Sequence, residues 1–177
     1  GYIERLRDTL NVPIVYVSHA LEEVTRLADQ VVLLADGKLV AAGPAVDIMG
    51  RPDLSPYNGR NEAGALIETQ VVGHDDFGLT DLAFEGGTLC GSGRDLADGT
   101  KVRAHIRARD VAIATTRPTD LSILNVFHGR VVGIHGTNSA AMDLELDIGG
   151  RLWARITRRA ATDLGIEPGR EVYALVK

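Results

Sequence analysis

The pattern of apolar residues in this 177-residue chain changes at residues 51–64. That stretch contains two prolines, two glycines, two asparagines and a serine, a composition typical of a linker. Helical and strand-like patterns alternate before it, whereas short strand-like runs fill most of the sequence after it. We therefore predict two domains, at residues 1–50 and 65–177, joined by a linker at 51–64.

The first part has the alternation of helices and strands that is typical of an α/β fold. Two segments repeat apolar residues every three or four positions, which favours helices with one buried face. Compact β-branched runs lie between and after them, as in buried parallel strands. The predicted elements are a helix at 2–10, a buried strand at 12–17, a helix at 20–28, a buried strand at 31–34, a tight turn at Asp36 and Gly37, and a strand at 38–42.

The second part is predicted to be mostly β, with short strands separated by turns that contain glycine. One helix is expected within it, entered after Thr157 and ended at Gly165. Residues 99–107 also align with residues 169–177, which share a turn glycine, a valine, an alanine and a final basic residue. The repeat favours two related β units, at about 65–117 and 120–177. The clearest predicted strands lie at 66–72, 101–106, 129–134, 142–148 and 171–176.

Composition narrows the possible functions. The net charge of −5 offers no broad basic surface, so we expect no nucleic-acid partner. No apolar stretch approaches the roughly 20 residues of a spanning helix, so we expect no direct membrane insertion and a soluble, cytoplasmic protein. The single cysteine, Cys90, excludes an internal disulfide and is interpreted as a small strand residue rather than a nucleophile.

Ser18 and His19 follow the apolar run at 12–17 and directly precede a predicted helix. Ligands commonly bind at this edge of a parallel sheet. A neutral imidazole there can exchange a hydrogen bond with a phosphate oxygen or with an attacking water. The alternative interpretation is that His19 only caps the following helix.

The context of His19 resembles one particular family. Residues 17–44 contain a strand end, Ser-His, a helix with Glu-Glu, then Ala-Asp, an apolar strand and Gly-x-Leu-x-x-x-Gly. This order is similar to the switch-histidine segment of ABC-transporter ATPases. The resemblance implies that residues 1–50 are the C-terminal remnant of an ABC ATPase domain and that His19 contacts the γ-phosphate of ATP. It also implies ATP and magnesium as cofactors of the full-length protein, and a membrane permease as partner.

Three motifs that such an ATPase needs are missing from this sequence. It has no Gly-x-x-x-x-Gly-Lys-[Ser/Thr] phosphate loop, no apolar run ending in Asp-Glu, and no ABC signature. We therefore expect the chain alone neither to bind ATP tightly nor to hydrolyse it, and we interpret it as a piece of a longer ABC-type transport ATPase. Through its permease, that protein would lie at the inner face of the cell membrane.

The second part resembles the molybdate-binding β unit, an OB-like fold of the Mop and TOBE type. For example, Leu-Trp-Ala-Arg-Ile-Thr at 152–157 matches the pattern Leu-x-Ala-x-Ile-Thr of that unit. Residues 169–177 match its ending, Gly-x-x-Val-x-Ala-x-[Ile/Val]-Lys. The chain is therefore similar to the C-terminal region of a molybdate import ATP-binding protein.

This second resemblance implies an oxyanion pocket for molybdate or tungstate, lined by Ser122, Thr157 and Lys177 and often formed between two subunits. A regulatory homodimer would follow. Two positions depart from the family pattern, since Leu124 and Ala160 stand where arginine and serine are common. The non-ligand interpretations are a turn or cap role for Ser122 and a helix-cap role for Thr157.

Two other functions stay open. Ile-Arg-Ala-Arg-Asp-Val at 106–111 resembles a strand common in the C-terminal domains of import ATPases, so the transported substrate can instead be sulfate, a sugar or a polyamine. A stand-alone oxyanion-storage protein is the other alternative, although such a protein has no use for the segment around His19.

Overall fold

A computed structural model describes residues 13–51, Leu54, Tyr57, 64–92, 96–136 and 140–177 of the chain. The predicted helix at 2–10 and most of the predicted linker lie outside these residues. Within the described part of the chain, no helix has both the length and the apolar character needed to cross a bilayer.

The first part forms a short helix, a β-hairpin and a second short helix. The predicted tight turn is confirmed, because Asp36 (φ 49°) and Gly37 (φ 72°) both adopt the left-handed conformation that a two-residue hairpin turn requires. A small apolar core lies under the hairpin, and Leu66 from the second part joins it. The elements are α1 (Leu21–Leu27), β1 (Gln30–Ala35), β2 (Lys38–Pro44) and α2 (Ala45–Met49).

Two expectations for this part are wrong. Residues 13–17 form no strand, and Val15 and Val17 are more than 90% exposed. The strand at 31–34 exists within β1, but it is not buried, since Val32 and Leu34 are exposed. A buried parallel strand needs neighbours that take its backbone hydrogen bonds, and β1 and β2 pair antiparallel with each other in a two-stranded sheet. The α/β assignment of residues 1–50 therefore stays a prediction.

The second part is mostly β, as predicted, and contains two antiparallel sheets. The first has the strand order β5-β4-β3-β6 and the second has the order β10-β9-β8-β11-β7. The strands are β3 (Gly64–His74), β4 (Leu79–Phe84), β5 (Gly87–Ser92), β6 (Lys101–Arg107), β7 (Val111–Ala114), β8 (Asn125–His135), β9 (Ala141–Asp147), β10 (Arg151–Thr157) and β11 (Glu171–Val176). The predicted helix is α3 (Arg158–Asp163), and a 3₁₀ turn, Ala108–Asp110, precedes β7.

Strand β7 joins the two units. It lies within residues 65–117, the predicted first unit, but it pairs with β11 of the second, with Val111 opposite Val176. The two units also bury a common apolar core, in which Ala65 and Ile106 of the first sheet meet Leu144 and Val172 of the second. The units therefore share both a sheet and a core.

The internal repeat corresponds to a repeated structure. Strands β3 and β8 each carry a bulge after a buried valine, between Val71 and Gly73 and between Val131 and Gly133. Gly99 donates a backbone hydrogen bond to the carbonyl of Val71 (2.8 Å), and Gly169 donates the same bond to Val131 (2.7 Å). Both donors have a φ near +85°, a conformation that glycine adopts without strain. The glycine shared by the two sequence repeats thus makes the same backbone hydrogen bond to the bulged strand in each unit.

The turns of two hairpins pack directly against each other at the junction of the units. Gly86 lies between β4 and β5, and Gly149 lies between β9 and β10. A Cβ atom on Gly86 would overlap the backbone carbonyl of Ile148, and a Cβ on Gly149 would lie 2.5 Å from the Cα of Gly86. This contact leaves no room for a side chain at either position.

We expect Gly86→Ala to lower the free energy of unfolding by about 1–3 kcal/mol, the usual cost of overpacking a close contact. Urea denaturation measures this loss. Gly73→Ala is the matched control, because a Cβ there meets nothing within 4 Å, and its effect should stay within about 0.5 kcal/mol. Equal stability of the two variants would contradict the close packing of the turns.

Candidate functional site

His19 lies in the exposed segment that precedes α1. The residue that bonds the start of the helix is its neighbour, Ser18, whose Oγ accepts a hydrogen bond from the backbone N–H of Ala20 (3.0 Å). This bond closes a local turn ahead of the helix, whose N-cap residue, Ala20, makes no side-chain cap, and the His19 side chain is exposed to solvent. This position leaves the imidazole accessible to a ligand.

A carboxylate holds the segment before His19 in place. Glu23, on the first turn of α1, accepts hydrogen bonds from Ser18 Oγ (2.7 Å) and from the hydroxyl of Tyr16 (2.8 Å). The bond from Ser18, followed by that from Tyr16, lowers the pKa of Glu23 below its usual value. The same carboxylate raises the pKa of Tyr16. This network could not be predicted from the sequence, because Ser18 and Glu23 are five residues apart and a capping box needs a separation of three.

Ser122 and Lys177 lie at the same end of the second sheet. Ser122 is exposed in the segment that leads into β8, and Lys177 directly follows β11. Because Val176 pairs with Asn125, Lys177 comes opposite the residues that precede Asn125. Leu124, which replaces the family's arginine, is 66% exposed at this end of the sheet.

Thr157 lies at the other end of β8. It pairs with Ala141 at the start of β9, and β9 runs antiparallel to β8, with Asp143 opposite His135. An extended strand rises about 3.3 Å per residue, so the eleven residues of β8 separate the two ends by roughly 30 Å along the strand. One chain therefore does not bring Thr157 together with Ser122 and Lys177.

The hydroxyl of Thr157 has a structural role. Thr157 is the N-cap residue of α3, and its Oγ1 accepts a hydrogen bond from the backbone N–H of Ala160 (3.1 Å). The helix-cap interpretation is therefore confirmed. The hydroxyl keeps a second lone pair, so capping and ligand binding are chemically compatible.

Two of the basic side chains near Thr157, Arg155 and Arg159, pair with carboxylates. Arg155 makes a two-bond ion pair with Asp143, at 2.7 and 2.9 Å, and this hydrogen bonding raises the pKa of the guanidinium. Arg159 pairs with Asp163 at 3.5 Å on the exposed face of α3. Arg155, which is largely enclosed by this pair, is therefore held by Asp143, whereas Arg159 is 90% exposed.

Asp110 connects the ends of the two repeated strands. Its carboxylate accepts a hydrogen bond from Arg107 Nε (2.7 Å), and its carbonyl accepts one from the backbone N–H of Lys177 (3.3 Å). Arg107 ends the first repeat as Lys177 ends the second. The two bases align in the sequence repeat, but the role of Asp110 could not be predicted, because its contact with Lys177 depends on the pairing of β7 with β11.

Cys90 has the surroundings of a structural residue. Its Sγ lies 3.1 Å from the Asp81 carboxylate, and this hydrogen bond, together with burial, raises the pKa of the thiol. The thiolate that a nucleophile needs is therefore disfavoured. The side-chain amide of Asn125 accepts a hydrogen bond from the N–H of Cys90 (2.7 Å) and donates one to its carbonyl (2.9 Å). These are the two backbone groups that a neighbouring strand would bond on the edge strand β5.

A small cavity lies where the two parts of the chain meet. Its volume is about 10 Å³, enough for about one water molecule and too little for a tetrahedral oxyanion. Among the described residues, no group of three or more His, Cys, Asp or Glu side chains is placed to hold a metal ion. The residues lining the cavity are Met49, Gly50, Arg51, Gly64, Ala108, Asp143 and Trp153.

Part of the second unit matches a known domain family. Residues 121–177 match the TOBE domain family. The chain is also similar to a solved structure of the cytoplasmic molybdate-binding protein ModG with molybdate bound, with a TM-score of 0.56 and 25% identity. The match covers 63% of this chain and 89% of the ModG chain. The OB-like β part predicted from the sequence is thus confirmed.

Curated relatives are similar to this chain over nearly its whole length. The chain is 49% identical over 178 aligned residues to the molybdenum import ATP-binding protein ModC of Aromatoleum aromaticum, covering 99% of this chain and 47% of the relative. Identity is 46% with ModC of Mesorhizobium japonicum and 44% with ModC 1 of Azotobacter vinelandii, covering 48% and 49% of them. The chain is therefore related to the ModC proteins and matches their C-terminal half. It spans about half the length of these relatives.

We expect Thr157→Ala to lower the free energy of unfolding by about 1 kcal/mol, because the N–H of Ala160 loses its cap. Thermal and urea denaturation measure the change. Thr157→Ser keeps the Oγ acceptor and should remain close to the native chain. A cap role would be refuted if the alanine and serine variants had the same stability.

Proposed function

We propose that this chain is the regulatory and dimerisation region of the ATP-binding subunit of a molybdate importer. The observation that carries the proposal is the 49% identity to a molybdenum import ATP-binding protein over 99% of the chain. The likeness of the β part to a molybdate-binding protein supports the same substrate. ATP and magnesium would bind to the whole protein, which would associate with a membrane permease at the cytoplasmic face of the membrane.

The exposed position of His19 suits a contact with nucleotide in that longer protein. Its side chain lies in solvent one residue beyond the bonded Ser18 and two residues before α1. An imidazole held at the start of a helix can bond a phosphate oxygen without burying a charge. In the whole protein, His19 would contact the γ-phosphate of ATP.

The proposed oxyanion pocket uses two copies of the β part. Ser122 and Lys177 lie at one end of β8, and Thr157 lies at the other, so a pocket that contains all three needs a second copy. Lys177 would supply the main positive charge, and the two hydroxyls would donate neutral hydrogen bonds to molybdate or tungstate. Binding would then be linked to association of the subunits.

A second candidate is a dimerisation and docking module without an oxyanion ligand. The observation that favours it is the exposed Leu124 at the end of the sheet beside Lys177, where the family commonly has a base. A dianion bound there would have fewer compensating charges.

Calorimetric titration with molybdate tests the pocket. Since a hydrogen bond to a charged group is worth about 1.5–3 kcal/mol, Lys177→Ala should weaken binding by about ten- to a hundredfold. Leu124→Arg should tighten it, because the substitution restores a base next to the dianion. Lys101→Ala, which removes an exposed base at the start of β6, should leave the affinity unchanged.

Sulfate and maltose titrations separate molybdate from the other transport substrates. Heat from sulfate or maltose alone would assign the chain to another importer. The molybdate proposal fails if neither the native chain nor Leu124→Arg gives a molybdate heat, and the absence of heat from all three ligands would favour the docking-module candidate.

The chain should form a dimer or a larger assembly in solution. Association would cover exposed apolar residues such as Leu124. Size-exclusion chromatography with light scattering measures the mass, with and without molybdate. A strict monomer at high concentration in both conditions would rule out the homodimer.

A further inference from the structure

One arginine of the β part reaches the end of the helix that follows His19. Arg103 lies on β6, and its Nη1 donates a hydrogen bond to the carbonyl of Ala28 (2.6 Å). Its Nη2 donates to the carboxylate of Asp29 (2.7 Å), and its Nε lies 4.0 Å from Glu68 on the neighbouring strand. The Arg103 side chain is only 25% exposed, whereas Asp29 is 72% exposed, so the arginine is the more firmly enclosed partner.

Arg103 binds where a helix accepts a cation best. Ala28 is the C-cap residue of α1, and the carbonyls at a helix C-terminus have no partners within the helix. The negative end of the helix dipole lies there as well, so a guanidinium gains from the carbonyl, the dipole and the Asp29 carboxylate together. The carbonyl of Asp29 also accepts a hydrogen bond from Ala45 at the start of α2 (2.9 Å), which ties the same junction to the hairpin.

Helix α1 depends on such contacts from outside. It has seven residues, and its N-cap residue, Ala20, makes no side-chain hydrogen bond. Helices of fewer than about 12 residues are marginal on their own in water. Packing of Val24 and Ala28 on the small apolar core fixes one side of the helix, and the bonds from Arg103 fix its C-terminal end.

We propose that Arg103 is a positioning residue through which the β part holds α1, and with it His19, in place. The role in nucleotide hydrolysis rests on the function proposed above for His19. Seven helical residues span about 10 Å, so a rigid α1 transmits its position at Ala28 to the segment that carries His19. The β part thus influences nucleotide chemistry through one guanidinium.

Hydrogen exchange of the 177-residue chain, followed by mass spectrometry, tests the contact directly. Arg103→Gln should accelerate exchange of the amides at residues 21–29 about tenfold, because a charge-assisted bond at the helix end is lost. Arg103→Lys keeps the positive charge and one donor group. Its exchange rate at residues 21–29 should lie between those of the native chain and Arg103→Gln. Arg130→Gln is the matched control, since Arg130 also makes two bonds to a carboxylate, at 2.9 and 2.7 Å to Glu171, but on the second sheet.

Two results of that experiment overturn the proposal. One is exchange at residues 21–29 that is the same in Arg103→Gln as in the native chain. The other is equal acceleration throughout β3 and β6, which would mean that Arg103 stabilises its own sheet and not the helix. Acceleration confined to residues 21–29, with Arg130→Gln unchanged there, supports it.

ATP hydrolysis distinguishes the proposed role of His19 from the positioning role of Arg103. It is measured on a protein in which this chain follows a nucleotide-binding half. Arg103→Gln should lower kcat about tenfold with little change in KM for ATP, because nucleotide still binds while His19 is displaced, and Arg103→Lys should recover part of the loss. His19→Ala should lose most activity. Normal turnover by His19→Ala would refute the role of His19 and leave the exchange result standing. An inactive His19→Ala together with full activity of Arg103→Gln would refute the positioning role of Arg103.

Discussion

A backbone hydrogen bond from a left-handed glycine to a bulged valine fixes the geometry of both β units. Gly99 bonds Val71 in the first unit, and Gly169 bonds Val131 in the second. Each bond sets how the strand that follows the glycine, β6 or β11, pairs with the bulged strand, β3 or β8. A slip of one residue would turn every side chain to the opposite face. The position of Arg103 facing α1, and of Lys177 at the end of the second sheet, follows from that register.

Local signals were sufficient for the features that the sequence predicted correctly. Short strand-like runs between turns that contain glycine marked the strands of the β part, Asp36 and Gly37 marked the hairpin turn, and Thr157 marked a helix start. The strand expected at 12–17 was wrong because a strand exists only with partners, and an apolar run does not indicate whether they are present. The pairing of β7 with β11 escaped prediction for the same reason, since it joins two units that are separate in sequence.

The same distinction holds for the candidate site, where residues with local or family patterns could be predicted and residues that act through long-range contacts could not. Family patterns pointed to Ser122, Thr157 and Lys177, and the capping role of Thr157 could be predicted from its place before a helix. Arg103 could not be identified in this way, because its partner Ala28 lies 75 residues away in sequence. Contacts of this kind depend on how the two parts of the chain pack, and neither composition nor spacing records that packing.

Strand β11 is the last strand of the chain, yet it lies inside its sheet, between β8 and β7. Each of those neighbours precedes it in sequence, so during synthesis they leave the ribosome first and wait with unpaired backbone edges until β11 emerges. The core that includes Val172 and Ala174 closes only at that moment. Folding of the second sheet is thereby delayed until translation has passed residue 176. If translation stalled before β11, the unpaired edges of β7 and β8 would stay open to chaperones and to other nascent chains.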